Sequence, residues 1–255
     1  MTLESTFVLA RYFSNFLILL IRLGVILFLL PFWSGKQFPK TFKIGIVLAV
    51  AYVLAPVVPM EIRNQDILMV LIQELLLGAI LGFSARIIFA AVELAGTLIS
   101  DSMGVSIATV FNPEMGQSTE ISTILGLLAM LLFLALDLHH DLIAIIAKSY
   151  EVLPVGRIRI DNLLVKGLSI GGQVLVLAVK IAAPVLVGMI IVNVLMGFIY
   201  KAAPQVNIFF VSLPVYVFIG LVILFLSTPL LINFLGAQFS GLKEEINQIL
   251  ILAKG

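Results

Sequence analysis

The chain has 255 residues, 62% of them hydrophobic, with 15 basic and 14 acidic residues, a net charge of +1 and a mean hydropathy of +1.22. A soluble domain is roughly half apolar and about a quarter charged, so this composition excludes an ordinary water-soluble enzyme and leaves no basic footprint for nucleic acid. There is no cysteine, which excludes disulfides, thiolate metal sites and cysteine nucleophiles.

The N-terminal run reads as a retained helix and not as a cleavable signal. Glu4 precedes any basic residue, and the apolar stretch continues through Pro31–Phe32–Trp33 without a small-residue cleavage site. Segment one covers Tyr12–Phe32 with Arg22 inside it, and Ser34–Lys36 and Pro39 punctuate its end. Segment two, Ile44–Met60, is followed by the polar stretch Glu61–Asp66. Segment three, Ile67–Ser100, is long and holds Gln73, Glu74, Arg86 and Glu93. A non-periodic loop, Asp101–Glu120, leads to the charge-free segment four, Ile121–Leu136. Asp137–Lys166 is the most polar region. Segment five, Val174–Tyr200, contains Lys180 and Pro184. Segment six lies within Ala202–Leu242 and carries Pro214, Pro229 and Asn233. The tail, Lys243–Gly255, reads as an amphipathic helix. A spanning helix needs about 20 apolar residues, so the expectation is an all-α, polytopic membrane protein with about six long apolar segments.

Positive charge gathers in cytoplasmic loops. Lys36, Lys40 and Lys43 place the first loop inside, but strict alternation then puts Arg157, Arg159 and Lys166 outside. The conflict disappears if segment three is not a single crossing. Ionisable groups deep in a membrane seek partners or water, so Glu74, Arg86, Glu93 and Lys180 are expected to be buried charges. Gly78 and Gly82 form a GxxxG pair, with Gly96 further on, and small residues at such spacing let backbones approach closely. The expectation is that these three glycines pack between subunits.

The loop Gly104–Gly116 is apolar and contains Phe111–Asn112–Pro113. Irregular apolar backbone at membrane depth is tolerated only against protein or a cavity, and it can form a pore constriction. A plain Asn-Pro surface turn is the other reading of the same residues. Asp137–Leu138–His139–His140–Asp141 holds both histidines. Two imidazoles and two carboxylates suit a divalent metal, but neighbouring residues on a helix diverge by about 100°. The expectation is therefore interfacial capping without metal. No nucleotide-binding, serine-hydrolase or HExxH pattern is present, so no catalysis and no cofactor are expected. Pro184, Pro214 and Pro229 should bend the last two helices, which are joined by Lys201–Asn207 as a hairpin. Bent helices suit a stacked assembly, and they equally suit a transporter.

Several stretches together resemble the FliR family. They are Gln73–Phe83 with Ala95–Gly96, Met103–Gly104 through Thr109–Pro113, Leu132–Asp137 with His139–His140, and Pro204–Phe210. The family often has glycine where this chain has Leu138. FliR is a membrane protein of the flagellar type III export apparatus, and SctT is its injectisome relative. The resemblance covers about Thr6 to Phe239. It implies a FliP-like portion (1–166), a FliQ-like hairpin (167–240) and an amphipathic tail (241–255), wound into an assembly that is not a conventional bilayer bundle. It also implies a plug at 107–120, with Ile107, Val110, Phe111, Asn112, Pro113 and Met115 as the closing residues. The implied role is a structural subunit of the export gate in the bacterial inner membrane, at the flagellar basal body. Its partners would be FliP-like, FliQ-like and FlhB-like subunits, membrane lipid and unfolded export substrates. Two other readings rest on the residues alone. One is a secondary transporter using Glu74, Arg86, Glu93 and Lys180; the other is an intramembrane metalloenzyme built on His139 and His140.

Overall fold

A computed structural model describes residues 3–30, 39–56, 67–106, 119–153, 155, 160–205 and 207–254. Among these residues there are seven α-helices and no strand. They are α1 (Leu3–Leu29), α2 (Lys40–Leu54), α3 (Ile67–Met103), α4 (Glu120–Ala135), α5 (Leu138–Val152), α6 (Ile160–Ala202) and α7 (Ile208–Lys254).

The all-α expectation holds; the count of about six long apolar segments is not confirmed as a count of spans. Among the described residues, α3, α6 and α7 are long and apolar enough to cross a membrane, and α4 with α5 add a fourth span only as a bent pair. At 1.5 Å per residue, the 15 residues of α2 fall short of a hydrocarbon core of about 30 Å. The apolar part of α1, Asn15–Leu29, falls into the same short class. Hydropathy counts apolar residues; a span needs them in one uninterrupted helix. The tail also differs from a separate helix, since Lys243–Lys254 continues α7.

The chain forms two compact units. The first comprises residues 1–87, 137–171 and 239–255. Its core includes Leu19, Leu23 and Ile26 from α1, Leu77 and Leu81 from α3, and Ile145 and Ile146 from α5, all buried. The end of α7 enters this core through Leu242, Ile246, Ile249, Leu250 and Ala253, the i, i+4, i+7 stripe of an amphipathic helix. The polar side of the same stretch pairs Lys243 with Asp141 at 3.4 Å and Glu245 with Lys166 at 3.6 Å.

The second unit comprises residues 88–136 and 172–238. Here α4 begins with Thr119 as N-cap, its hydroxyl accepting from the Ser122 amide at 3.3 Å and satisfying a free helix-end donor. That first turn sits directly on Gly96 of α3: a Cβ there would meet the Ser122 Cα, Cβ and amide nitrogen. Only the missing side chain permits this approach. Phe89 of α3 meets Phe133 of α4 edge-on, with ring centroids 5.6 Å apart, a favoured aromatic geometry. A Cβ on Gly188 of α6 would reach Ile223 Cδ1 of α7 at 2.5 Å. Both residues lie about equally far from the turn at 204–205, so within this unit α6 and α7 form the expected antiparallel hairpin. Helix continues on both sides of Pro184, Pro214 and Pro229, although each proline removes one amide donor.

Candidate functional site

Within the first unit, one polar cluster lies in the apolar core. Arg22 is the single charge among the apolar residues of α1 between Asn15 and Leu29. Its Nε donates to Glu74 Oε2 at 2.6 Å and its Nη2 to Glu74 Oε1 at 2.9 Å. Nη1 donates to Ser149 Oγ of α5 at 2.8 Å, and that hydroxyl donates onward to the Ile146 carbonyl at 2.6 Å. The guanidinium carbon stands 3.9 Å from the centroid of the Tyr150 ring. Arg22, Glu74 and Ser149 are wholly buried, and Tyr150 nearly so. The fork-to-carboxylate geometry is bidentate and charge-assisted, the stronger class of hydrogen bond. Stacking on an aromatic face is a second way arginine tolerates burial.

The glycines of α3 make this contact possible. Glu74, Gly78 and Gly82 recur every four residues and so share one helix face. A Cβ on Gly78 would lie 3.0 Å from the Arg22 carbonyl oxygen and 3.3 Å from its Cα, and one on Gly82 would lie 3.0 Å from Ile26 Cα and 3.1 Å from Leu29 Cβ. The contacts advance together along both helices, so α1 and α3 run parallel here. Their backbones close together at the glycines, which brings the Glu74 carboxylate within reach of Arg22. Within this chain the close approaches of Gly78, Gly82 and Gly96 are to its own helices.

Chemically the Arg22–Glu74 pair is closed, while the buried Tyr150 hydroxyl beside it has no hydrogen-bond partner among the described residues. Both carboxylate oxygens of Glu74 are taken by a cation that does not deprotonate in proteins, so this carboxylate is not free to relay a proton. It is a clamp joining α1, α3 and α5.

The other three charges expected to be buried are less covered on this chain. On this chain Arg86 is half-buried, while Glu93 and Lys180 are exposed. Glu74 alone of the four is buried, because only it faces a cation across a glycine-lined contact. The closing residues Ile107, Val110, Phe111, Asn112, Pro113 and Met115 lie outside the described residues, as do Arg157 and Arg159. Sequence reasoning missed Arg22, Ser149 and Tyr150. Arg22 was legible in principle: a lone cation in an apolar segment needs an anion, and Glu74 is the first of two acids in the next long apolar segment.

The corner between α4 and α5 also departs from expectation. Asp137 adopts the left-handed conformation, with φ of 55°. Leu138 is a buried helical residue. The turn's unusual backbone therefore falls on Asp137, a residue type that tolerates it, and Leu138 places no strain on the corner. His139 and His140, in the first turn of α5, do not diverge as helical geometry suggests; their ring centroids are 4.0 Å apart.

The profile of the family described as bacterial export proteins, family 1, matches residues 13–242. The chain is 29% identical to the flagellar biosynthetic protein FliR of Pectobacterium carotovorum, over 94% of each protein. It is 32% identical to FliR of Caulobacter vibrioides over 81% of this chain and 85% of the relative. To FliR of Escherichia coli it is 28% identical, over 91% of this chain and 90% of the relative. The chain belongs to the FliR family. The matched span contains every member of the Arg22 clamp, the glycine face of α3 and the Asp137–His140 corner. It ends at Leu242, where α7 enters the core of the first unit.

Proposed function

We propose that this chain is a structural subunit of the flagellar type III export gate, without catalysis of its own. It would act in the bacterial inner membrane at the flagellar basal body, with FliP-like, FliQ-like and FlhB-like subunits around it and unfolded flagellar subunits passing through. The observation that carries the reading is the family match across residues 13–242, with relatives named as flagellar biosynthetic proteins over most of their length. The exposed faces of the long helices support it. Only 28% of the most apolar window of α6 and 17% of that of α7 is buried within the chain. Glu93 and Lys180 stand exposed on otherwise apolar helices, and charge on such a surface suits an unlike protein neighbour better than lipid. In this reading 1–166 is the FliP-like portion, 167–240 the FliQ-like hairpin and 241–255 the tail, with 107–120 as the plug. The closed Arg22–Glu74 pair counts against a transporter relay, because its one buried carboxylate is fully engaged.

The test is co-expression with the neighbouring export subunits and purification in mild detergent. The expected result is a stable complex with those subunits and a chain poorly stable alone. Restored swimming and secretion of flagellar subunits in a strain lacking its own FliR would support the role. A monodisperse chain that moves small solutes and ignores those subunits would overturn it.

A further inference from the structure

The corner at the start of α5 assembles a second cluster, unconnected with the clamp. Asp137, His139 and His140 each offer one donor atom, and the three donors lie within 4.8 Å of one another. The left-handed backbone of Asp137 folds its carboxylate back over the first turn of α5, where His140 Nδ1 comes to 3.6 Å from Asp137 Oδ1. His139 lies ring to ring with His140. Its Nδ1 is buried and has no hydrogen-bond partner among the described residues. A buried ring nitrogen left this way loses its water without replacement, which leaves His139 short of a partner at this corner.

We propose that Asp137, His139 and His140 form a binding site for a divalent transition-metal ion of the zinc class, with the remaining position open to water. The donor set is two imidazole nitrogens and one carboxylate oxygen, which suits borderline ions such as Zn²⁺ and not Mg²⁺ or Ca²⁺. Bonds of about 2.0–2.2 Å from these donors to zinc require the three atoms to draw closer than they now stand. The side chains of His140 and Asp137 are 74% and 78% exposed, so little packed protein opposes small rotations of either. The nearby Asp141 carboxylate is engaged with Lys243, which leaves Asp137 as the anion that offsets the ion's charge. Three protein donors and an open position describe a site that exchanges its ion, unlike a closed four-ligand structural centre.

The probes are Zn²⁺ and Co²⁺ on the purified full-length chain, stripped with chelator, reloaded and desalted. The expected result is about one ion per chain by elemental analysis, and visible Co²⁺ absorption typical of low coordination. His139→Gln, His140→Gln and Asp137→Asn should each weaken binding at least about tenfold, whereas Asp141→Asn should not. Asn keeps the left-handed corner accessible, and His140 is exposed. Those two variants therefore decide the matter if His139→Gln fails to fold. The proposal is overturned if the chain retains no more metal than the His140→Gln variant, or if bound metal is indifferent to all three substitutions.

Discussion

The Arg22–Glu74 pair makes the most decisive prediction, because single and double substitutions should act in opposite senses. Glu74→Leu removes two charge-assisted hydrogen bonds, at 2.6 and 2.9 Å. Such bonds contribute about 1.5–3 kcal/mol each, a loss of about 3–6 kcal/mol by that count. An independent expectation for breaking a buried ion pair is about 3–5 kcal/mol, because the surviving charge is left without water or partner. The two agree, and either is a large share of a typical folding stability of about 5–15 kcal/mol. Arg22→Met should cost a similar amount, since the Glu74 carboxylate is then the orphan. The double variant, Arg22→Met with Glu74→Leu, removes both charges and fills the space with apolar atoms. It should recover most of the loss and come within about 1 kcal/mol of the parent or exceed it. Thermal unfolding in detergent, with limited proteolysis as a second readout, measures the cycle. Single variants that behave like the parent, or a double variant as unstable as the summed singles, would refute the account of a closed structural clamp. If the doubly apolar protein is stable yet no longer supports flagellar export, the pair has a role beyond holding α1, α3 and α5 together.

Gly96→Ala drives a methyl onto the Ser122 backbone and should destabilise by about 1–3 kcal/mol as overpacking. Gly126→Ala meets nothing within 4 Å and should be neutral or stabilise by up to about 1 kcal/mol through helix propensity; equal effects in thermal melts would count against the close α3–α4 approach. Asp137→Gly should leave stability within about 0.5 kcal/mol, while Asp137→Val should lose about 1–2 kcal/mol by forcing a branched side chain into a left-handed backbone, and the reverse ranking would contradict the corner geometry. Deleting Phe111–Gly116 should raise passive ion conductance of membranes containing the assembled gate without preventing co-purification, and unchanged conductance would argue against a plug there.

Several features were legible from the chain alone because they are local. The apolar runs, their helical character and the missing catalytic patterns follow from residue type and spacing, and the linear order of motifs carries the family resemblance. The hairpin of α6 and α7 could be read from two long apolar runs on a short connector. The small-residue pattern at Gly78 and Gly82 pointed to a close helix contact. It could not say with what, since spacing on one helix is blind to its partner. Only the tertiary structure placed α1 there, and with it Arg22 against Glu74, which stand 52 positions apart in the chain. Glu93 and Lys180 are exposed on this chain, because an apolar sequence neighbourhood does not say which side of a helix its own fold covers. At the start of α5, ideal helical geometry separates adjacent side chains, yet the rings of His139 and His140 stand 4.0 Å apart, a side-chain arrangement that spacing alone does not give. Composition and periodicity thus determined what kind of protein this is. Which charges meet, and which glycines touch whom, waited on packing, because those are relations between helices and no single helix encodes them.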